Sequence, residues 1–431
     1  MALTDPSKRL EAMPPYMFAE LERKVSQMRE KGVDVISLGI GDPDMPTFDP
    51  VVETMREAVG INEDQKYPTN RGRQEYREAV GEFYSNRFGV DLDIEDGVIP
   101  ALGAKEAIYN LCFAFLDPGD VALASDPGYP VYTGGPILAG ARPVPVPLDP
   151  DSAFAPDLDS VSDEDARAAR ILFLNYPNNP TGAVAPEGLF PRVVEFAREN
   201  EILVIHDNAY SETTFDGYVA PSFLATPGAM DVGIEVFSLS KGYNMTGWRI
   251  GAVVGNPDAI STYWRLKTNV DSGLFEAIQL AGVTALRECH GMVEEMNVVY
   301  ARRRDLVVET MKQVVGVNAD QKYPTNRGRK EYREAVSDFY SSRFGVEIDV
   351  EEGVIPALGA KEAIYNLCFA FLDPRDVALA SDPGYPVYTG GPILAGARPV
   401  PVPLLPERGF APDLDSISEE DARSARILFL N

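Results

Sequence analysis

From about residue 70 the chain alternates between two kinds of apolar spacing. EYREAVGEFYSNRFG (75–89) and KEAIYNLCFAFL (105–116) set their apolar residues at helical intervals. GVIPALGA (97–104), DVALASDPGYP (120–130), ARILFLNYPNNPTG (169–182), EILVIHDNAY (201–210) and IEVFSLSKGY (234–243) are short apolar runs that finish in polar residues. Each reads as a strand. ARPVPVPL (141–148) reads as an edge-like strand because of its prolines. Earlier, MFAELERKVSQMREK (17–31) predicts a helix stopped at Gly32, and DVISLGIGDPDMP (34–46) predicts a short strand entering a Gly/Pro turn. Residues 291–315 predict one long helix. Strands alternating with helices imply an α/β fold with a mostly parallel sheet. In such sheets the chemistry sits beyond the carboxyl ends of the strands.

The same pattern then returns. Val51–Asn175 and Val307–Asn431 align without a gap at an offset of 256, and 104 of the 125 positions are identical. Most of the 21 differences are mild; Gly119 to Arg375 and Asp149 to Leu405 are the harsher ones. A single long segment present twice is not a solenoid, whose units are short and repeat many times. The pentapeptide VVETM is shared at the junction, which favours a recombined gene over an evolved architecture. The second copy breaks off at Asn431, before any counterpart of Asn179, Asp207 or Lys241.

Composition narrows the classes. The 431 residues carry 39 basic and 66 acidic side chains, a net charge of −27. Removing the 13 basic and 19 acidic residues of the second copy still leaves 26 and 47, or −21. That charge argues against nucleic acid or an anionic membrane as partner. Three cysteines are too few for a disulfide scaffold and fit a reducing compartment, and the first twenty residues lack the apolar core of a secretory signal. A soluble cytoplasmic protein is expected. With two histidines, no metal site is expected.

The strand ends hold the candidate chemistry. In SLSKGYNMTGWRIG (238–251), Ser238, Ser240 and Arg249 offer hydroxyls and a guanidinium to a phosphate. Lys241 between them could form a Schiff base with an aldehyde. Asp207, in HDNAY, could pair with a protonated pyridine nitrogen, and Tyr210 could reach a phenolic oxygen. Asn179, in NNPTG, offers an amide to the same oxygen. LGAKEA (102–107) puts Ala104 and Lys105 at a helix start, where free N–H groups favour a phosphate. Tyr129, in DPGYPVY, could stack on a planar ring. Taken singly, each has an ordinary reading as well: an exposed turn lysine, a capping aspartate, a turn-forming Asn-Pro, a packed tyrosine.

In this order along the chain, these motifs resemble the class I/II aminotransferases, pyridoxal 5'-phosphate (PLP) enzymes of fold type I. The resemblance covers 1–306. It implies Lys241 as the Schiff-base lysine, Asp207 on the pyridine nitrogen, and Asn179 and Tyr210 on the phenolic oxygen. It implies Ala104, Lys105, Ser238, Ser240 and Arg249 around the phosphate and Tyr129 stacked on the ring. Tyr67, in KYPTNRG, matches a tyrosine that reaches the neighbouring subunit's cofactor in a homodimer with shared active sites. PPYMFAELERKV, ISLGIGDPD and AYSETTFDGY look most like the LL-diaminopimelate subgroup, in which Tyr16, Gly41 and Lys105 would face an amino-acid substrate. The co-substrate would be a 2-oxo acid such as 2-oxoglutarate.

The implied layout is an N-terminal arm with part of a small domain (1–47), a PLP-binding large domain (48–290) and a connecting helix (291–317). An incomplete duplicated α/β half-domain (318–431) follows. The family's small C-terminal domain, with the arginine that binds the substrate α-carboxylate, is not found, since Arg423 and Arg426 are copies of Arg167 and Arg170. Transamination is the expected activity. A PLP-dependent C–S lyase and a catalytically dead PLP-binding protein are the alternatives.

Overall fold

Eight strands form the sheet that carries the first part of the chain. The computed structural model describes residues 6–14, 17–35, 37, 41–61, 66–315, 330–357 and 359–430. The chain divides into two compact units, Met1–Val308 and Glu309–Asn431, taken here in turn. Of the run 34–46, expected to hold a short strand, residues 36 and 38–40 lie outside this description, and 34, 35, 37 and 41–46 are not in a strand.

In the first unit the strands are β1 (Val98–Ala101), β2 (Val121–Asp126), β3 (Arg142–Asp149), β4 (Ala155–Pro156), β5 (Ala169–Leu174), β6 (Leu203–Asn208), β7 (Gly233–Ser238) and β8 (Gly251–Gly255). Their order across the sheet is β1-β8-β7-β6-β5-β2-β3-β4. The central run from β7 to β3 is parallel, as expected. The sheet as a whole is mixed, because β8 runs antiparallel to both β7 and β1. The link from β7 to β8 holds only the four-residue helix Leu239–Gly242 and a 3-10 turn at Thr246–Trp248. Neither can cross the sheet, so the chain returns alongside itself.

The period of two along each strand sorts side chains onto two faces. On β5, Leu172 and Leu174 join one hydrophobic cluster while Ile171 and Phe173 join the other. The first cluster is covered by helices Gln74–Phe88, Leu189–Asn200 and Glu276–Glu288. The second is covered by Ala104–Phe115, Val131–Ala139 and Pro257–Val270. The proline strand β3 lies near the edge for a physical reason. Its outward backbone groups are those of odd residues, since Pro147 and Asp149 accept from Asp157 and Phe154 beyond it. Pro143, Pro145 and Pro147 therefore all remove a donor from the outer side, while the even residues keep their bonds to β2. The long helix predicted over 291–315 is His290–Val315.

The second unit has a four-stranded sheet of β9 (Val377–Asp382), β10 (Arg398–Leu405), β11 (Ala411–Pro412) and β12 (Ala425–Phe429), in the order β11-β10-β9-β12. Residues 354–357, which correspond to β1, are not a strand here. In the first unit β1 bonds to β8, and β8 lies outside the repeated segment. For the same reason side chains buried in the first copy stand exposed in the second: Ile99 is 0% exposed and Ile355 74%, Tyr76 0% and Tyr332 55%, Leu111 0% and Leu367 48%.

Two of the substitutions between the copies are legible in packing terms. A Cβ on Gly81 would lie 2.2 Å from Cδ1 of Ile94. The second copy has Ser337 there, and it has Val350, which lacks that methyl, at the matching position. Gly119 has φ of +101°, and Arg375 in its place keeps φ of +87°. A side chain in that region costs about 1–2 kcal/mol. Arg375→Gly is thus expected to stabilise the second unit, slowing native-state hydrogen exchange of the β9 amides by about tenfold. Unchanged exchange would contradict the strain.

Candidate functional site

Register brings the polar strand ends to one end of the sheet. Gly251, at the start of β8, is flanked by Ala101 of β1 on one side and Ser238 of β7 on the other. The loop after β1 and the loop after β7 therefore emerge together. Asn208 of β6 pairs with Phe237 of β7, which sets Asp207 beside the strand that leads to Lys241.

A cradle forms around Gly103. It has φ of +87° and caps the N-terminus of helix Ala104–Phe115, whose first turn holds Ala104 and Lys105, both half-buried. The Arg249 guanidinium donates to the carbonyl oxygens of Leu102, at 3.2 Å, and Thr246, at 2.9 Å. A Cβ on Gly103 would stand 2.7 Å from Nη2 of Arg249, so only glycine admits this approach. Ser238 caps the short helix Leu239–Gly242, its hydroxyl accepting from the Ser240 amide at 3.2 Å. Ser240 is buried at the same end of the sheet. Helix N–H groups, a guanidinium and two hydroxyls at this end of the sheet are donors of the kind that bind a phosphate.

Asp207 is the most unusual group. Its carboxylate is buried on the Ile205 side of the strand. Tyr132 donates to Oδ2 at 2.8 Å, while Oδ1 is buried with no donor among the described residues. Burial pushes its pKa up to about 6, against the opposing pull of the Tyr132 hydrogen bond and the His206 charge. An ionised carboxylate with one satisfied and one open oxygen fits a cationic N–H placed against it. Its backbone is held as well, for Asn175 Nδ2 donates to the Asp207 carbonyl at 2.8 Å. The oxygen of the same Asn175 amide accepts from the Asn179 N–H at 2.7 Å.

Asn179 and Tyr210 are brought together, the amide donating to the phenol oxygen at 3.2 Å. Burial first, and the Asp207 charge second, push Tyr210 up to about 12, so it stays a neutral phenol. Tyr129 is half-buried and meets Tyr132 edge-on at 6.1 Å. Lys241 Nζ lies 3.3 Å from Asp42 Oδ1. Gly41, next to that aspartate, is exposed, with no heavy atom within 4 Å of where its Cβ would be. Tyr67 is 88% exposed. Tyr16 lies outside the described residues.

Sequence reasoning passed over Tyr132, Asn175 and Asp42. Tyr132 was in view within DPGYPVY, but nothing in that run separates it from a core aromatic. Asp42 follows Gly41 directly in GDPD. Among the described residues no group of three or more His, Cys, Asp or Glu could hold a metal ion. Among them, too, no helix is long and apolar enough to cross a membrane.

The residues present fit PLP: a phosphate cradle, an open buried carboxylate oxygen, a paired amide and phenol, and a lysine. Comparison with known proteins agrees. The profile of the family "Aminotransferase class I and II" matches residues 33–322 and again 317–431. An LL-diaminopimelate aminotransferase of Desulforudis audaxviator is 52% identical over 305 residues, spanning 71% of this chain and 78% of that protein. One from Halothermothrix orenii is 48% identical over 306 residues, 71% and 79% of the two chains. Among solved structures, BacF of Bacillus subtilis superposes with a TM-score of 0.71 at 32% identity, covering 80% of this chain and 89% of that one. The Thermus thermophilus aspartate aminotransferase with maleate gives 0.66 at 30%, covering 72% and 80%.

Proposed function

Because the chain belongs to the class I and II aminotransferases, which use pyridoxal phosphate, we propose that its site moves the amino group of LL-diaminopimelate to a 2-oxo acid such as 2-oxoglutarate. The observation that carries the reading is the Asp207 carboxylate, buried, bonded by Tyr132 at one oxygen and open at the other.

Bound PLP supplies an electron sink for charge that develops at the substrate α-carbon. The rest is the work of this chain's side chains. Asp207 holds the proton on the pyridine nitrogen, and Tyr132 fixes the carboxylate that does so. Asn179 and Tyr210 present a donor pair to the phenolic oxygen. Ala104 and Lys105 at the helix start, with Ser238, Ser240 and Arg249, hold the phosphate, and Tyr129 covers the ring face. Lys241 would hold the aldehyde carbon of the cofactor and, with its amine free, would carry the proton from the substrate α-carbon to that cofactor carbon. Gly41 and Lys105 would face the substrate; Tyr16, which the resemblance groups with them, lies outside the described residues. Tyr67 is exposed and reaches the site of a second subunit in a homodimer.

Where the family's carboxylate-binding arginine is expected, the sequence beyond Leu306 carries the repeat. Substrate binding is therefore expected to be weak, with a high KM, while cofactor binding is retained. The test is a transamination assay with LL-diaminopimelate, other L-amino acids and 2-oxoglutarate. Glutamate formation that depends on the amino donor supports the reading. Pyruvate released without an acceptor would mark C–S bond cleavage instead, and cofactor binding without turnover would mark a dead site.

A further inference from the structure

The face of the sheet opposite the candidate cofactor site holds a second buried charge. Glu235, on β7, is 0% exposed, as is His206 on β6. The two are register partners across the parallel pair. Their parity along the strands puts them with Phe190 and Phe223, while Asp207 faces the other way toward Tyr132.

Glu235 is saturated with donors. Oε1 receives the Ser222 hydroxyl at 2.8 Å, the Phe223 N–H at 2.6 Å, the Leu224 N–H at 3.4 Å and His206 Nδ1 at 2.9 Å. Oε2 receives Tyr84 at 2.9 Å and the Asn208 amide at 3.1 Å. Only an ionised carboxylate accepts at every one of these positions, so the His206 proton sits on Nδ1. Burial alone would raise the Glu235 pKa, but the His206 bond and charge, with Ser222 and Tyr84, outweigh it and hold the group below its ordinary value.

Two of these donors, His206 and Asn208, are the residues immediately before and after Asp207. We propose that Glu235 is a positioning residue for the cofactor: from behind the sheet it grips both strand neighbours of Asp207 and so fixes where that carboxylate points. The same strand carries the grip into the site, since β7 runs from Glu235 to Ser238 and on to Lys241. A buried charge with this many fixed partners holds one geometry, as outer-shell partners do around metal ligands. The groups that face the assembly are Tyr132 and Tyr210 on the Asp207 side, and Tyr84, Ser222 and Glu235 behind.

This inference rests on PLP binding at Asp207, and the test separates the two. PLP affinity of the apoprotein is measured by absorbance titration between pH 5.5 and 8.5 for the wild type and three variants. Asn208→Ala and Tyr84→Phe each remove one donor from the same oxygen, but only Asn208 neighbours Asp207. His206→Gln removes the other grip. The expected result is a loss of PLP affinity of about tenfold in Asn208→Ala and His206→Gln. Tyr84→Phe is expected to lose stability but keep wild-type affinity and pH profile. A purely structural network would give all three variants the same affinity as wild type, or the same loss in all three, and either result overturns the proposal. Wild-type protein that fails to bind PLP sinks the functional reading itself. Should His206→Gln not fold, the contrast between Asn208→Ala and Tyr84→Phe still decides.

Discussion

Lys241→Ala is expected to lower the rate of transamination by about 10²–10⁴-fold or more, the range that a positioned proton-transfer group supplies. The position leaves no substitute. Lys241 stands in a four-residue helix capped by Ser238, at the end of β7, and its Nζ reaches the Asp42 carboxylate at 3.3 Å. Lys105 belongs to the helix start after β1. The variant should still take up PLP without a covalent link, because the cradle around Gly103 and the Asp207 carboxylate are untouched. The measurement is kcat alongside cofactor retained after gel filtration. Full activity in the variant would remove Lys241 from the chemistry.

Asp207→Asn is expected to cost about 10²–10³-fold in kcat, the scale for losing one preorganised electrostatic partner of developing charge. It should also change stability with a definite sign. In the folded apoprotein burial pushes Asp207 up to about 6, whereas an unfolded aspartate titrates near 3.9. Between those values the folded chain binds more protons, so its contribution to stability is present below about 4 and is lost as pH rises through about 6. Asparagine removes the buried charge. Apo Asp207→Asn should therefore melt above apo wild type at pH 7.5, with the gap closing toward pH 4. PLP, bringing a cationic nitrogen to the open oxygen, should raise the wild-type melting temperature and raise that of the variant much less. A wild type that gains stability over the variant as pH rises from 4 to 6 would contradict the placement of Asp207.

β1, β2, β5, β6 and β7 were legible because each is a short apolar run that ends in polar residues, and the runs lead to Asp207, Asn179 and Lys241. The proline strand was legible because its missing donors could only face outward. The two-residue β4 and the strand β8 were not, and nothing in the twelve-residue link LSKGYNMTGWRI before β8 announces whether the chain crosses the sheet. Tyr132 and Glu235 were not legible either. Their partners lie 75 and 29 residues away in sequence, and no local spacing encodes a contact made only when strands and helices assemble. The second unit repeats the limit in another form. VIPA is a strand at 98–101 and not at 354–357, although its four residues are the same. A strand needs its neighbour as much as its own propensity.

The central claim is that PLP binds at the junction of the loops after β1, β6 and β7 and is anchored by Lys241. Borohydride reduction of the PLP-loaded protein, followed by proteolysis and mass mapping, tests it directly. The predicted result is one pyridoxyl phosphate mass per chain on the peptide that contains Lys241, with none on Lys105 or Lys361. Label on another lysine, or none at all, would contradict it.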